Sequence, residues 1–161
     1  MNGDGSDPIA DLRRTLAALL EPVPGAAPIA FGWATVDLDR LQTSIETAWP
    51  GSVASTADLG EDVLLGARCR HLRPGIEGLP ALVLIEPSTE GRLAATLARH
   101  GEGPAAIWVT LPSPGPPRPP EGAGRSVAAT GPFGWEVLLL DGPVHGPHRL
   151  VVLAEPGTIT A

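Results

Sequence analysis

The clearest hydrophobic pattern lies at the centre of the chain, between Pro80 and Leu111. Two continuous apolar runs, Leu82–Ile85 and Ala105–Leu111, each predict a buried strand. Between them, apolar side chains recur at helical spacing, and we predict a helix that Ser88 caps, with Glu90 in its first turn. The cations Arg99 and His100 suit a helix C-terminus, and Gly101 suits the left-handed residue that ends it.

Upstream of this stretch, the pattern predicts two helices and three strands. After a polar start at residues 1–6, Ser6 or Asp7 can cap a helix that ends at Glu21, before two prolines. Its apolar stripe consists of Ile9, Leu12, Leu16 and Leu19. This stripe needs a partner, either the body of the domain or a second subunit. We then predict a strand at 29–36, a helix that Asp37 caps and that stops at Pro50, and strands at 52–56 and 63–72.

Downstream, residues 112–125 are rich in proline and predict an extended surface loop. Strands are predicted near 126–130, 135–140 and 149–154, with a Gly/Pro-rich hairpin connection at 141–147. The order is β-α-β-β-β, a linking helix, then β-loop-β-β-β. We therefore predict an α+β protein built from two βαβββ units, in which the loop replaces the helix of the second unit.

Composition narrows the classes of function. The 161 residues suit one domain, and a net charge of −7 argues against nucleic-acid binding. All eleven basic residues are arginines, which excludes a lysine Schiff base or a lysine-bound pyridoxal cofactor, and which suggests a bacterial source. The one cysteine, Cys69, excludes an intrachain disulfide. No secretory signal and no run of about 20 apolar residues is visible, so we expect a cytoplasmic protein without membrane contact.

Three short motifs resemble the vicinal oxygen chelate superfamily, which includes glyoxalase I, methylmalonyl-CoA epimerase and bleomycin-resistance proteins. They are Val36–Asp39 (VDLD), Leu84–Pro87 (LIEP) and Arg99–Gly103 (RHGEG), in the order and spacing of that superfamily. The resemblance covers roughly residues 28–156. It implies one cup-shaped, barrel-like mixed sheet formed by both units, and often a homodimer. We accordingly divide the chain into a polar start, an N-terminal helix with its linker at 7–27, and a glyoxalase-like domain at 28–161.

Enzymes of this superfamily bind one divalent metal through four inward-facing side chains. The resemblance places those positions at Ala30, Val83, Ala106 and Val152. Alkyl side chains offer no oxygen, nitrogen or sulfur donor. The resemblance therefore implies a member without metal ligands, and we expect no metal and no cofactor.

The same inner positions suggest a binding cavity. Strand alternation puts Gly32 beside Ala30, Ile85 beside Val83, and Trp108 beside Ala106, whereas Trp33 falls on the opposite face. A ligand-binding role is expected for all of these inner residues and for Val152. Arg68 and Arg70 could clamp a ligand carboxylate or phosphate if they face the cavity, and are otherwise an exposed pair.

Acid–base candidates are few. Glu136 is a lone acid in the apolar strand WEVLLL, either a cavity base with a raised pKa or, as we favour, a solvent-facing residue. His71 lies beside Cys69, but alternate residues of one strand stand about 6–7 Å apart, too far for a Cys–His pair. His145 and His148 lie in a proline-rich turn, where exposure to solvent is expected.

Three functions follow. The first is a metal-independent protein that binds a small, largely apolar organic molecule in the cup. The second is a cofactor-independent isomerase, lyase or cyclase on an acyl or secondary-metabolite substrate, with Glu136, His71 or His148 as the acid–base residue. The third is a non-catalytic interaction subunit whose cavity has filled and whose N-terminal helix docks a partner.

Overall fold

In a computed structural model of the chain, residues 26–48, 50–75, 80–111, 124–140 and 146–153 are described. They form two helices and eight strands. The first unit contains β1 (Ala27–Ala34), α1 (Leu38–Ala48), β2 (Val53–Asp62), β3 (Ala67–Pro74) and β4 (Ala81–Pro87). After the linking helix α2 (Arg92–His100), the second unit contains β5 (Gly103–Thr110), β6 (Ala129–Gly131), β7 (Gly134–Leu139) and β8 (His148–Leu153).

All eight strands belong to one mixed sheet, in the order β2-β3-β4-β1-β5-β8-β7-β6. Within each unit the first strand pairs in parallel with the fourth, and the antiparallel pair β1–β5 joins the two units. The amide of Val63, after β2, donates a hydrogen bond to the carbonyl of Thr130 in β6 at 3.3 Å. The two edges of the sheet therefore meet, and the predicted cup-shaped α+β fold is confirmed.

The three motifs that carry the resemblance converge where β1 meets α1. The Asp37 carboxylate accepts the Arg40 amide at 2.9 Å and so caps α1, as predicted. Glu86 accepts the amide of Leu38 at 3.1 Å, and Glu102 accepts the amide of Val36 at 3.0 Å. Acidic oxygens thus satisfy amides that the start of the helix leaves without internal partners.

The predicted strands at 52–56 and 63–72 and the predicted cap of α2 differ from the structure. Residues 63–66 are a turn rather than the start of a strand, because the Asp62 carboxylate accepts the Leu65 amide and Gly66 takes a φ of 62°. The strand predicted at 52–56 is correspondingly longer and runs to Asp62. Ser88 does not cap α2, since its hydroxyl bonds the Glu61 carboxylate and the helix begins after Gly91.

The C-terminus of α2 agrees with the sequence, with Arg99 and His100 in its last turn and Gly101 at a φ of 76°. Among the described residues, no helix is long and apolar enough to cross a membrane. The predicted N-terminal helix, His145, and residues 112–123 of the predicted loop lie outside the described residues.

Apolar side chains pack on both faces of the sheet. The inner face carries the largest cluster, which extends from Ala30 and Val83 across the seam to Trp108 and Leu150. On the outer face of the first unit, α1 packs Leu38 against Leu72 and Leu84. The outer face of the second unit carries a separate cluster around Val109 and Val151.

Candidate functional site

The four positions at which the resemblance implies metal ligands lie on the inner face of the cup. Val83 and Ala106 are both register partners of Gly32, from opposite sides of β1. Ala30 belongs to the same cluster, and Val152 packs against it. Within the described ranges, no group of three or more His, Cys, Asp or Glu side chains is placed to hold a metal ion.

Trp108 fills the floor of the cup. Its side chain is fully buried on the face of Ala106, as strand alternation predicts, whereas Trp33 packs with the α1 cluster on the other face. A Cβ atom added to Gly32 would lie 2.8 Å from the Ala106 Cβ and 2.9 Å from Cζ3 of Trp108. Glycine at position 32 therefore gives the indole room to lie against β1.

Glu136 is fully buried, so the favoured prediction of a solvent-facing residue is wrong. Its carboxylate accepts the indole N–H of Trp108 at 2.9 Å and the amide of Phe133 at 2.9 Å. Burial raises the pKa of Glu136 to about 7, with a further contribution from the negative charge of Asp62. The prediction assumed that one face of β7 is exposed to solvent. Residues 136–139 are buried on both faces of the strand, so the acid has no exposed side.

Asp62 is a second buried carboxyl that the sequence did not single out. One oxygen accepts the Leu65 amide at 3.0 Å, and the other is buried without a hydrogen-bond partner in the structure. Burial raises the pKa of Asp62, while the hydrogen bond from the Leu65 amide opposes the rise. In the sequence, Asp62 is an ordinary turn acid. Only the curl of the sheet brings it near Glu136.

His71 lies on the inner face, where it is half-buried and opposite Val83 in register. Its ring centroid is 6.4 Å from that of Phe133, which in turn lies 5.7 Å from that of Trp108, both in edge-to-face orientation. Nε2 of His71 is buried and has no hydrogen-bond partner in the structure. Burial, with the charge of Arg73, lowers the pKa of His71 and so favours the neutral ring.

Cys69 shares the face of His71 but forms no catalytic pair with it. The thiol donates to the carbonyl oxygen of Ala67 at 3.8 Å, and burial raises the pKa of Cys69 to about 12. A thiol with so high a pKa is a poor nucleophile at neutral pH. Cys69 thus packs in the inner cluster, and the absence of a Cys–His pair agrees with the sequence.

His148 is 4% exposed, so the prediction that it faces solvent is wrong. It is the first residue of β8 and the register partner of Ala106. His148 pairs with β5 as part of the sheet, and its imidazole ring is buried there. Ile85, also predicted to line the cavity, is fully buried in the inner cluster.

Arg68 and Arg70 are directed away from the cup, so the proposed clamp on a ligand in the cavity is not formed. Arg70 binds Asp39 at 2.5 Å and Asp58 at 2.7 Å, and Arg68 pairs with Glu86. Because they alternate along β3 with the inward-facing Cys69, they lie on the outer face. There they bind acidic side chains of α1, β2 and β4. Both arginines have structural partners on the side that α1 covers.

By sequence, no family model and no characterised protein matches the chain. Solved structures do match. A variant of Streptomyces coelicolor methylmalonyl-CoA epimerase in complex with 2-nitronate-propionyl-CoA is 19% identical, with a TM-score of 0.58 over 78% of this chain and 96% of that chain. The Mycobacterium tuberculosis methylmalonyl-CoA epimerase is 15% identical, with a TM-score of 0.58 over 80% and 86%.

A methylmalonyl-CoA epimerase in complex with methylmalonyl-CoA and NH4+ is also similar, at 19% identity and a TM-score of 0.57 over 78% and 92%. At these identities the likeness shows a shared fold. The structure therefore confirms the vicinal oxygen chelate type of fold that the three motifs indicate.

Proposed function

We propose that the chain binds one small, largely apolar organic molecule at the mouth of the cup, without a metal ion. The observation that carries the proposal is Nε2 of His71, which is buried beside Phe133 and has no partner in the structure. Buried hydrogen-bonding atoms in proteins nearly always have a partner. A ligand with one polar group can supply that partner while its apolar part contacts the aromatic ring.

We place the ligand at the mouth of the cup because side chains of the protein itself already fill the floor. Ala30, Val83, Ala106 and Trp108 have no exposed surface. Half-buried apolar side chains pack around them, at Ile29, Ala81, Phe133 and Val152. A ligand would therefore lie against these half-buried side chains, above the indole. The four alkyl positions support metal independence, since none can donate to a cation.

Native mass spectrometry and elemental analysis of the purified full-length protein test this proposal together. We expect one retained organic molecule per chain and no stoichiometric metal. Zn, Fe, Mn or Co at one equivalent would contradict the metal-free part of the proposal, and a polar, highly charged ligand would contradict the apolar part.

A pair of variants locates the site. His71→Phe keeps an aromatic ring at this position and removes Nε2, so we expect the retained ligand to be lost. Arg99→Gln changes an exposed residue at the end of α2, which does not act on His71, and should keep the ligand. Equal retention in both variants would exclude the proposed site. If the unaltered protein binds nothing, the role of a non-catalytic interaction subunit is favoured instead.

A second candidate is a cofactor-independent isomerase, and the carboxyl of Glu136 favours it. A base is most effective when its pKa lies near the working pH, and the pKa of Glu136 is about 7. The three similar structures named above are epimerases, one of them in complex with methylmalonyl-CoA. We infer an acyl thioester as the substrate class. Glu136 would remove a proton next to the carbonyl to give an enolate, and would return that proton after the enolate has turned its other face to the carboxyl. Substrate would have to displace the Trp108 ring to reach this base.

Proton exchange tests the second candidate directly. In D2O, an active protein would exchange the proton next to the thioester carbonyl of an acyl-CoA for deuterium, which proton NMR detects. The rate should rise with pH up to about 7, as Glu136 loses its proton. Glu136→Gln should abolish exchange and the exposed Glu90→Gln should not. Exchange that survives Glu136→Gln would rule out this role.

A further inference from the structure

The outer face of the second unit is apolar and buried. It is formed by alternate residues of β5, β7 and β8, namely Ile107, Val109, Val137, Leu139 and Val151, each at most 6% exposed. The described residues that pack against it lie at or near strand ends, at Ala26, Leu111, Ala128 and Leu153. These side chains are buried within a single chain, so their burial requires no second copy.

The two described helices pack elsewhere. In α1, the apolar residues Leu38, Leu41 and Ile45 pack on the outer face of the first unit. In α2, the buried Leu93 and Leu97 belong to the inner cluster. An apolar sheet face needs a second layer against it. The second unit thus has a face equivalent to the one that α1 covers, and no described helix packed against it.

The sequence offers one segment suited to this face. We propose that residues 7–21 form an amphipathic helix that lies across the outer face of the second unit, in the place that α1 takes over the first. Fifteen helical residues span about 22 Å, which matches strands of six to eight residues at about 20–26 Å. The stripe Ile9, Leu12, Leu16 and Leu19 supplies the apolar side.

The attachment of the segment supports the same position. Only residues 22–25 separate it from Ala26, which packs against the face. The five Cα–Cα steps from Glu21 to Ala26 reach at most about 18 Å, so the end of the segment stays close to the cluster. The proline-rich residues 112–123 are also joined to this face, through Leu111, but apart from proline they contain no large apolar side chain to bury.

Paramagnetic relaxation enhancement in the full-length protein tests the placement. Arg14→Cys puts a spin label on the side of the helix away from the stripe, and Cys69, with its pKa raised to about 12, stays unlabelled. Amide signals of Val137 and Val151 should broaden strongly, and those of Leu72 and Leu84 weakly. Stronger broadening at Leu72 and Leu84, or none, would overturn the proposal. So would broadening seen only between labelled and isotope-enriched copies, since a second chain would then be the occupant.

A matched pair of variants gives an independent readout. Leu16→Asp places a charge on the stripe, and it should lower the melting temperature and speed amide exchange in β7 and β8 at least about tenfold. Arg14→Asp changes the opposite side and should leave both unchanged. If Leu16→Asp prevents folding, Leu16→Ala provides the milder comparison. Equal effects at positions 14 and 16 would show that the segment does not dock by its stripe.

Discussion

At the scale of single residues, Glu136 dominates the electrostatics of the inner face. Its pKa is about 7 in the folded protein, against 4.5 for an unperturbed glutamate, mainly because of burial. The folded state therefore binds this proton more tightly than the unfolded chain does. Protonation of Glu136 therefore stabilises the folded state. This contribution is complete below pH 4.5 and is lost as the pH rises to about 7.

We expect Glu136→Gln to remove this pH dependence. In the natural sequence, the free energy of unfolding should fall by on the order of 3 kcal/mol from this group between pH 4.5 and 7. In the variant, that contribution should be absent. Urea unfolding at a series of pH values measures the difference, with the exposed Glu90→Gln as the control that retains the fall. Parallel curves for the natural protein and Glu136→Gln would show that the carboxyl is not protonated on folding.

Gly32 allows a second prediction at this scale. Gly32→Ala would bring a methyl group to within 3 Å of both Ala106 and the Trp108 ring, so we expect a loss of about 1–3 kcal/mol of stability. Gly103→Ala is a matched control, because nothing lies within 4 Å of its added Cβ. Thermal unfolding compares the two variants. A stability loss in Gly103→Ala as large as that in Gly32→Ala would show that close packing is not the reason for glycine at position 32.

At the scale of elements, the junction of β1 and α1 gathers the three sequence motifs. Glu102 accepts hydrogen bonds from the Thr35 hydroxyl and the Val36 amide, and pairs with Arg40. The bond from Thr35, followed by that from Arg40, lowers the pKa of Glu102 to about 2. A motif that resembles a family signature therefore has a local structural role, which is to fix the start of a helix.

Glu102→Gln tests that role. The stabilisation from a carboxylate with a depressed pKa is present above about pH 4.5 and is lost as the pH falls towards 2. We therefore expect the variant to lose about 1 kcal/mol at pH 7 and to approach the natural protein in stability at pH 2. Circular dichroism during acid titration measures this, and the exposed Glu90→Gln is the comparison. A gap that stays constant across the titration would contradict the assignment.

The sequence predicted the ends of helices well where a capping residue or a terminal glycine stands beside an apolar pattern. Asp37 caps α1 as the sequence indicates, and Gly101 follows α2 with a positive φ, which favours glycine. The turn at 63–66 was not predicted, because its residues, VLLG, are mostly apolar and fit a strand equally well. What decides the matter is the bond from the Leu65 amide to Asp62, which composition does not reveal.

The candidate site was predicted only in part. Alternation places Trp108 and Ala106 on one face correctly, since the period of a strand is a local property. The burial of Glu136 and the nearness of Asp62 depend on how β2, β6 and β7 meet when the sheet curls. Contacts between residues about 70 positions apart carry no local signal in a single sequence.

At the scale of the molecule, the antiparallel pair β1–β5 is the centre of the sheet. Each of these strands is paired on both sides, β1 with β4 and β5, and β5 with β1 and β8. The pair β1–β5 thus connects the strands of the two units. The edge strands β2 and β6 each have a full partner on one side only. Opening an edge breaks fewer hydrogen bonds and exposes less apolar surface than opening the centre.

We therefore expect hydrogen exchange to be slowest in β1 and β5 and fastest in β6. Residues such as Phe31 and Ile107, buried and mutually paired, should exchange only by global unfolding. Mass spectrometry of exchanged peptides measures the order. Protection in β6 equal to that in β5 would mean that the contact between the two edges of the sheet is as stable as the seam.

The hydrogen bond from Trp108 to Glu136 has an optical consequence. An indole that donates to a titrating carboxyl changes its electronic environment when that carboxyl gains or loses a proton. The emission of Trp108 should therefore report the charge of Glu136, and any molecule that displaces the ring would alter the same signal. The chain has three other tryptophans, so the part of the emission that Trp108→Phe removes is the natural indicator of what happens at the floor of the cup.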